Sequence, residues 1–181
     1  MQATDILSQE HRVIERVLDS LETAANRLSA GEAVPMDFFS QAADFIKNFA
    51  DGCHHKKEEE ILFIAMSANG MPQDAEPVSL FLEDHEEGRR LTRTMLEGVE
   101  GVQRGDTTSM SQVIQNALDY VTLLREHIQK EDHVLFPMAG DIIPASQHQQ
   151  LMADFAHIEH EDEVHEKYLR IAHELERIAA A

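Results

Sequence analysis

The sequence predicts an all-α fold, an up-down four-helix bundle with an additional C-terminal helix. Apolar residues recur at alternating steps of three and four over long stretches, which is the period of an amphipathic helix. Trp is absent and aromatic residues make up only 6% of the chain, while the eight Gly and five Pro fall in or near a few places. We expect one domain over residues 1–181, because the chain is long enough for one full-sized core and short for two.

The first two predicted helices each carry an inward stripe that polar residues interrupt. The first helix is predicted to begin at Thr4 or Asp5, which are good N-cap residues, and to end before Gly31. Its stripe is Leu7, His11, Ile14, Leu18, Leu21, Ala25 and Leu28. The second helix is predicted from about Met36 to Ala68, where a turn containing Gly and Pro ends it. Its stripe is Ile46, Ala50, His54, Glu58, Ile61 and Ala65.

The third and fourth predicted helices show the same rhythm. The third runs from after Pro77 to about Gln103, with the stripe Phe81, His85, Gly88, Thr92, Met95, Val99 and Val102. The fourth runs from about Ser109 to Ala139, with the stripe Val113, Ala117, Tyr120, Leu124, His127, Glu131 and Leu135. The bundle therefore spans about residues 4–139. A more polar helix over about residues 145–178 is expected to pack on its outside.

The two halves of this bundle repeat one pattern of polar residues. A histidine is followed 42 or 43 residues later by H-x-x-x-E. The residues concerned are His11, His54 and Glu58 in the first half and His85, His127 and Glu131 in the second. The similarity continues beyond them, because HHKKEEEILFI from His54 aligns with HIQKEDHVLFP from His127. This alignment favours His54–Glu58 over the overlapping pair His55–Glu59 as the principal pair.

These residues should meet in one layer of the bundle. His11 and His85 each lie about seven residues from the start of their helix, and the two H-x-x-x-E pairs lie about eight to fourteen residues from the end of theirs. Antiparallel helices bring such positions to similar depth, and side chains at i and i+4 share one helix face, with Cβ atoms about 5–6 Å apart. Imidazoles and carboxylates can therefore surround two adjacent metal ions, with Glu58 and Glu131 between the ions.

The alternative without metal is a buried network of histidine–glutamate hydrogen bonds, which is stable when every group is paired. Four histidines and two glutamates in an apolar layer would be costly to desolvate without cations, so we favour the metal site. Imidazole and carboxylate ligands suit iron, manganese or zinc. The zinc motifs C-x-x-C and H-E-x-x-H do not occur in the sequence, and neither does the E-x-x-H motif of ferritin-like di-iron proteins.

Four segments resemble motifs of the hemerythrin-like, or HHE cation-binding, domain family. They are LSQEH around His11, HHKKEEEILF around His54, FLEDHEEGR around His85 and LLREHIQKEDHVLFP around His127. The resemblance covers about residues 4–139 and implies an up-down four-helix bundle with a non-haem centre of two iron ions. It also implies that these four histidines are terminal ligands and that Glu58 and Glu131 bridge the metals.

The sequence departs from the oxygen-carrying hemerythrins at two positions. Those proteins have a second histidine four residues after the ligand of helix 3, and they use a carboxylate five residues after the histidine of helix 4. Here these positions hold Arg89 and Asp132, and the i+4 residue Glu131 is the better candidate bridge. We therefore expect a member of the broader hemerythrin-like group and not a simple reversible oxygen carrier.

Several further residues have weaker claims to the site. His55 follows His54 directly, and some hemerythrin-like domains use this position for the other metal, so we include it as a candidate ligand. His165 lies in the run FAHIEHEDEVHEKY and is another candidate, although this composition also suits a solvent-exposed helix. Cys53 fits core packing better than the role of a redox switch, and Tyr120 fits core packing better than a hydrogen bond near the site. The neighbouring charged residues expected to be solvated or paired with outer carboxylates are Lys56, Lys57, Glu59 and Glu60.

Net charge and local composition restrict the partners and the compartment. The formal charge of −19 argues against a nucleic-acid or anionic-membrane partner, since phosphate binding needs clustered Lys and Arg. No apolar run approaches the roughly 20 residues of a membrane span. The start MQATDILSQEH has neither the basic nor the apolar region of a signal peptide, and the single Cys cannot form an internal disulfide. We therefore expect the protein to reside in the cytoplasm.

The function predicted from these observations is that of a metal-binding protein with two iron ions, for which manganese or zinc could substitute. It would bind or react with oxygen, peroxide or nitric oxide, so the expected ligand is a diatomic molecule or peroxide. An oxidoreductase or peroxidase-like activity is one form of this hypothesis. The alternative is a non-catalytic iron or oxygen sensor, or an iron-storage module. The sequence predicts no particular protein partner.

Overall fold

A computed structural model of the chain describes residues 2–160 and 164–181. The α-helices are α1 (Ala3–Ser29), α2 (Met36–Phe45), α3 (Phe63–Ala68), α4 (Val78–Gln103), α5 (Ser109–Lys130), α6 (Phe136–Ile142), α7 (His148–His160) and α8 (Val164–Ala179). Three π-helical segments lie among them: π1 (Ile46–His55), π2 (Glu58–Leu62) and π3 (Glu131–Leu135). The described residues contain no strand, which confirms the all-α prediction. None of the described helices is long and apolar enough to cross a membrane.

Four helical rods form the bundle. The first is α1, and the third is α4. The second consists of α2, π1, π2 and α3 in succession, and the fourth consists of α5, π3 and α6. Helix α5 packs along both α1 and α4, and α2 packs along α4. The rods match the helices that the sequence predicted, including the end of α1 before Gly31, which adopts a φ of 83° that favours glycine.

The described buried apolar side chains form two clusters along the bundle. The larger cluster includes Leu18 of α1 and Phe49 of π1, and it occupies the end of the bundle towards the C-terminus of α1. The smaller cluster includes Leu7 of α1 and Phe63 of α3, and it occupies the opposite end. A layer of buried polar residues separates the two, and His11 lies in it.

The C-terminal residues pack on the outside of the bundle, as expected. Helix α8 lies against α1, α2 and π1, and its Tyr168 ring is 6.0 Å from the ring of Phe45. Helix α7 lies against α1 and π2 and buries Leu151 and Phe155 in the smaller apolar cluster. Of the helix predicted over residues 145–178, the described part is helical in α7 and α8, and residues 161–163 between them lie outside the described residues.

Candidate metal centre

The π-helical segments carry most of the residues that the sequence singled out. π1 ends at His54 and His55, π2 begins at Glu58, and π3 begins at Glu131. A π turn holds more residues than an α turn, so neighbouring side chains diverge by a smaller angle around the axis; such turns are frequent at functional sites. This wider turn lets His54 and His55 both face the interior, where they are 1% and 3% exposed.

The structure brings all seven predicted ligands into the buried polar layer, and none of them is more than 3% exposed. They form two groups in which the ligand atoms lie within 4.8 Å of one another. We call the first group site 1; its members are His11, His54, Glu58 and Glu131. We call the second group site 2; its members are His55, His85, His127 and Glu58.

In each glutamate, one carboxylate oxygen lies near a histidine of site 1, and the other lies near a histidine of site 2. Glu58 Oε1 lies 3.4 Å from His54 Nε2, and Glu58 Oε2 lies 3.5 Å from His85 Nε2. The two oxygens of Glu131 show the same relation, because Oε2 lies 3.1 Å from His11 Nε2 and Oε1 lies 3.2 Å from His127 Nε2. This is the arrangement required of carboxylates that bridge two adjacent cations.

Every histidine of the two sites has an outer carboxylate at its Nδ1 atom. The Nδ1–carboxylate pairs are His11–Asp132 (2.9 Å), His54–Glu10 (2.9 Å), His55–Asp51 (2.9 Å), His85–Glu59 (2.7 Å) and His127–Asp84 (3.3 Å). We assign the hydrogen to Nδ1, because an ionised carboxylate only accepts. Nε2 then keeps its lone pair and points into the layer. Outer carboxylates commonly fix metal-ligating histidines in this way.

Cationic side chains also lie near the outer carboxylates. Arg12 contacts Asp132, Lys57 contacts Glu10, Arg89 contacts Glu59, and Lys130 lies 3.8 Å from Asp84. Burial lowers the pKa of Lys57, but Glu10 and its other neighbours outweigh this and raise the pKa, so the amine remains charged. The layer is therefore surrounded by fixed, alternating charges.

The ligand layer has internal two-fold pseudosymmetry, which extends the sequence repeat. Four of the five outer carboxylates hold equivalent positions in the two halves. Glu10 and Asp84 come directly before the first histidine of each half, and Glu59 and Asp132 come directly after its glutamate. The aromatic neighbours also correspond. Phe136 stacks on His11 with a centroid distance of 5.3 Å, and Phe63 stacks on His85 at 6.2 Å. His55 breaks the symmetry, because the equivalent residue in the second half is Ile128.

The ligand layer has polar atoms that the described residues leave without partners. Six buried atoms of the ligands have no hydrogen-bond partner there. They are Nε2 of His11, Nε2 of His54 and the four carboxylate oxygens of Glu58 and Glu131. The Nε2 atoms of His85 and His127 face each other at 3.1 Å. A purely hydrogen-bonded network would pair these atoms, since unpaired buried polar groups are costly. The nitrogen and oxygen donors therefore fit metal cations.

The electrostatics of the protein alone show why a cation is favourable here. Burial, and the adjacent Glu131 carboxylate, raise the pKa of Glu58 well above its ordinary value. Burial also lowers the pKa of His85 to about 3. Burial lowers the pKa of His127 as well, but Glu131 and Asp84 outweigh it and raise that pKa to about 9. Without a metal ion, the protonated forms of Glu58 and His127 are therefore favoured, whereas the burial of Glu131 is outweighed by His127 and His11, which lower its pKa.

Lys57, Glu59 and His165 are three residues with weaker claims to the site from the sequence. Lys57, which was expected to be solvated or paired, is paired and is fully buried. Glu59 was expected to be solvated or paired, and its partners are His85 and Arg89 at the edge of site 2. The side chain of His165 lies outside the described residues. Sequence reasoning missed Glu10, Asp51 and Asp84, although the acidic residue directly before His11 and His85 was a signal in the repeat.

The two residues that were assigned to core packing remain outside both ligand groups. Cys53 is buried in the larger apolar cluster, and burial raises the pKa of its thiol to about 11. The Tyr120 hydroxyl is buried, and burial raises its pKa.

His148 is a buried histidine elsewhere in the chain. Its Nδ1 accepts a hydrogen bond from the Ala3 backbone N–H at 3.2 Å. It caps the start of α1 and lies outside the ligand layer.

The chain is similar to known proteins over most of its length. Three curated relatives, described as uncharacterized proteins of Mycobacterium bovis and of two strains of Mycobacterium tuberculosis, are each 26% identical over 166 residues. The matched region covers 92% of this chain, and the chain spans about 62% of the length of each relative. No solved structure matches the chain. The family model of the hemerythrin HHE cation-binding domain matches residues 2–139, so the chain belongs to this family.

Proposed function

We propose that the chain holds two iron ions, one in site 1 and one in site 2, and that this centre binds or reacts with oxygen, peroxide or nitric oxide. The observation that carries the proposal is the position of Glu58 and Glu131. In each carboxylate, one oxygen lies within 3.5 Å of a histidine Nε2 of site 1, and the other lies within 3.5 Å of a histidine Nε2 of site 2. Two negative charges shared in this way offset two cations in a buried layer.

The donor atoms support iron over a thiolate-binding metal. All of the ligand atoms are imidazole nitrogens and carboxylate oxygens, a set that suits iron, manganese and zinc. The thiol of Cys53 is outside both groups, and its raised pKa keeps it protonated at neutral pH. When bound, a pair of redox-active ions can exchange electrons with oxygen or peroxide, and this chemistry is the reason to prefer iron to zinc.

The two sites differ in the number of histidines. Site 1 has His11 and His54, whereas site 2 has His55, His85 and His127. Glu58 belongs to both groups, and Glu131 of site 1 also has an oxygen 3.2 Å from His127 Nε2 of site 2. With both glutamates bridging, site 1 has one protein ligand fewer than site 2, and we propose that an external ligand binds there. Catalytic metal sites keep such an open position, whereas closed sites are structural.

The surrounding side chains prepare the layer for a small ligand. The outer carboxylates fix the direction of each Nε2 atom before a ligand arrives, so little reorganisation is needed. Phe136 and Phe63 cover His11 and His85 from the smaller apolar cluster and keep bulk water away from them. A buried layer of this kind admits diatomic molecules or peroxide more readily than larger substrates. We also propose the cytoplasm as the compartment, where a lone thiol stays reduced.

The alternative function is a non-catalytic iron or oxygen sensor or an iron store, which would use the same ligands without turnover. The test is metal analysis and an optical spectrum of the aerobically purified protein, before and after addition of peroxide, with peroxide consumption measured in parallel. We expect close to two iron ions per chain and absorbance from bridged ferric ions. The matched control is the double variant Glu58→Gln, Glu131→Gln. A metal content near zero after iron-replete expression contradicts the proposal, and full iron without turnover favours the alternative.

A further inference from the structure

The two halves of the bundle contain equivalent groups of a carboxylate, a histidine and a lysine. In the first half, Glu10 accepts a hydrogen bond from His54 Nδ1 and contacts the amine of Lys57. In the second half, Asp84 lies 3.3 Å from His127 Nδ1, and Lys130 lies 3.8 Å from Asp84. Both lysines come three residues after the histidine. The sequence repeat therefore makes Lys130 the natural reference for Lys57.

The two lysines differ in their surroundings. Lys57 is fully buried, and its Nζ donates to Glu159 Oε1 at 2.6 Å in addition to Glu10. Its Nζ also lies 6.0 Å from the centre of the Phe155 ring. Lys130, by contrast, has a side chain that is 57% exposed. Glu159 and Phe155 both belong to α7, so α7 causes the difference between the two halves.

A fully buried lysine is rare unless carboxylates pair with it, and here two carboxylates do so. Glu10 itself is only 2% exposed. If the amine were removed, Glu10 would be left as a buried anion without a cation, and it could no longer keep its present orientation towards His54. The pair of Lys130 and Asp84 contributes less, because the lysine is exposed and water screens its charge.

We propose that Lys57 and Glu159 are positioning residues for site 1 and that α7, which lies beyond the family-matched residues 2–139, forms part of the metal centre. Glu159 holds Lys57 in place, Lys57 holds Glu10, and Glu10 directs His54 Nε2 into site 1. The inference rests on the proposed pair of metal ions. It adds that the C-terminal part of the chain makes the two sites release their ions at different rates.

The experiment measures iron release from the full-length iron-loaded protein into an excess of a strong chelator. The variants are Lys57→Met, Glu159→Gln and the double variant, with Lys130→Met and Asp154→Asn as matched controls in the second half and in α7. We expect Lys57→Met to release one of its two ions at least tenfold faster, in line with the 10- to 100-fold effects typical of residues that orient metal ligands. Lys130→Met should stay within about twofold of the wild type.

The double variant separates positioning from simple tethering of α7. If Glu159 acts through Lys57, the Glu159→Gln change should speed iron release in the wild-type background and have no further effect in Lys57→Met. If the ion pair only tethers α7, the variants should lower the melting temperature and leave both release rates unchanged, which overturns the inference. Should Lys57→Met fail to fold, Glu159→Gln decides alone, because its side chain is 33% exposed and tolerates replacement.

The same experiment distinguishes the two proposals from each other. A wild-type protein that takes up no pair of ions overturns the proposed function and this inference together. A wild-type protein that holds two ions, combined with variants that release both at wild-type rates, overturns only the inference.

Discussion

The imidazole rings of His55 and His85 stack on each other, with centroids 3.9 Å apart and planes inclined by 15°. This contact joins the second rod to the third at site 2. It depends on a residue without an equivalent in the other half, since Ile128 occupies the corresponding position. His55 is therefore the third histidine of site 2. The oxygen-carrying hemerythrins have a histidine four residues after the helix 3 ligand, where this chain has Arg89.

The first prediction concerns this third histidine. Replacing His55 by Leu should lower the affinity of site 2 by at least tenfold, because it removes a proposed ligand and the hydrogen bond between that ligand and Asp51. Titration of the metal-free protein with zinc, followed by metal analysis, measures the loss. The control is His173→Gln, which changes a histidine whose side chain is 70% exposed. Equal occupancy in both variants would exclude His55 as a ligand.

The second prediction concerns the glutamates between the two sites. Glu58→Gln and Glu131→Gln should each lower the occupancy of both ions, because each change removes a charge shared by two cations while nearly preserving shape. Metal analysis of the purified variants gives the count per chain. Glu60→Gln, at an exposed position of the same segment, is the control.

Glu59→Gln tests the register of the site. Glu59 accepts a hydrogen bond from His85 and contacts Arg89, so its replacement should weaken site 2 moderately and leave site 1 occupied. If Glu59→Gln emptied both sites while Glu58→Gln spared them, the choice of His54–Glu58 as the principal pair would be wrong.

The third prediction concerns the thiol of Cys53. Its pKa is raised to about 11 because burial disfavours the thiolate, so at pH 8 the folded protein holds the thiol protonated and covered. An aromatic disulfide reagent should therefore react at least a hundredfold more slowly with the native protein than with the protein in denaturant, where one thiol per chain should be titrated. Fast reaction of the native protein would show that this part of π1 opens readily.

The fourth prediction concerns removal of the metal. Ligands that bind only the folded state stabilise it by mass action, and a thousandfold excess over the dissociation constant contributes about 4 kcal/mol. The metal-free protein should therefore melt about 10 °C lower than the loaded protein, as calorimetry of the two forms would show. The Glu58→Gln, Glu131→Gln double variant should show almost no difference between its forms. A metal-free protein that melts at the same temperature as the loaded one would mean that protons already satisfy the layer.

The sequence predicted the rods and their inward faces well, because three- and four-residue periodicity reports which side of a helix is buried. Its alignment of Leu62-Phe63 on Leu135-Phe136 also has a counterpart in the structure, where Phe63 and Phe136 stack on equivalent histidines. The burial of His55 beside His54 was harder to predict, since it depends on a π turn and an ideal α-helix separates neighbours by about 100°.

The outer carboxylates could largely not be predicted from the sequence. Each of their hydrogen bonds to a histidine joins residues from different rods or from different helical turns. Glu10 meets His54 across 44 positions in the chain, and only the folded structure reveals such a contact. The partner of Lys57 in α7 lies still further away, at a separation of 102 positions. Composition alone suggested an exposed helix there, whereas Glu159 is partly buried and contacts the fully buried Lys57.

The position of the ligand layer between the two apolar clusters has a consequence for cooperativity. Each cluster can hold its own end of the bundle together, and the seven ligands connect the ends. In the loaded protein the ions fasten the ends to each other, so amide hydrogens in both ends should exchange through a single global opening. In the metal-free protein the ends can open separately, with different free energies. Metal supply would then determine whether the bundle unfolds as one unit or as two.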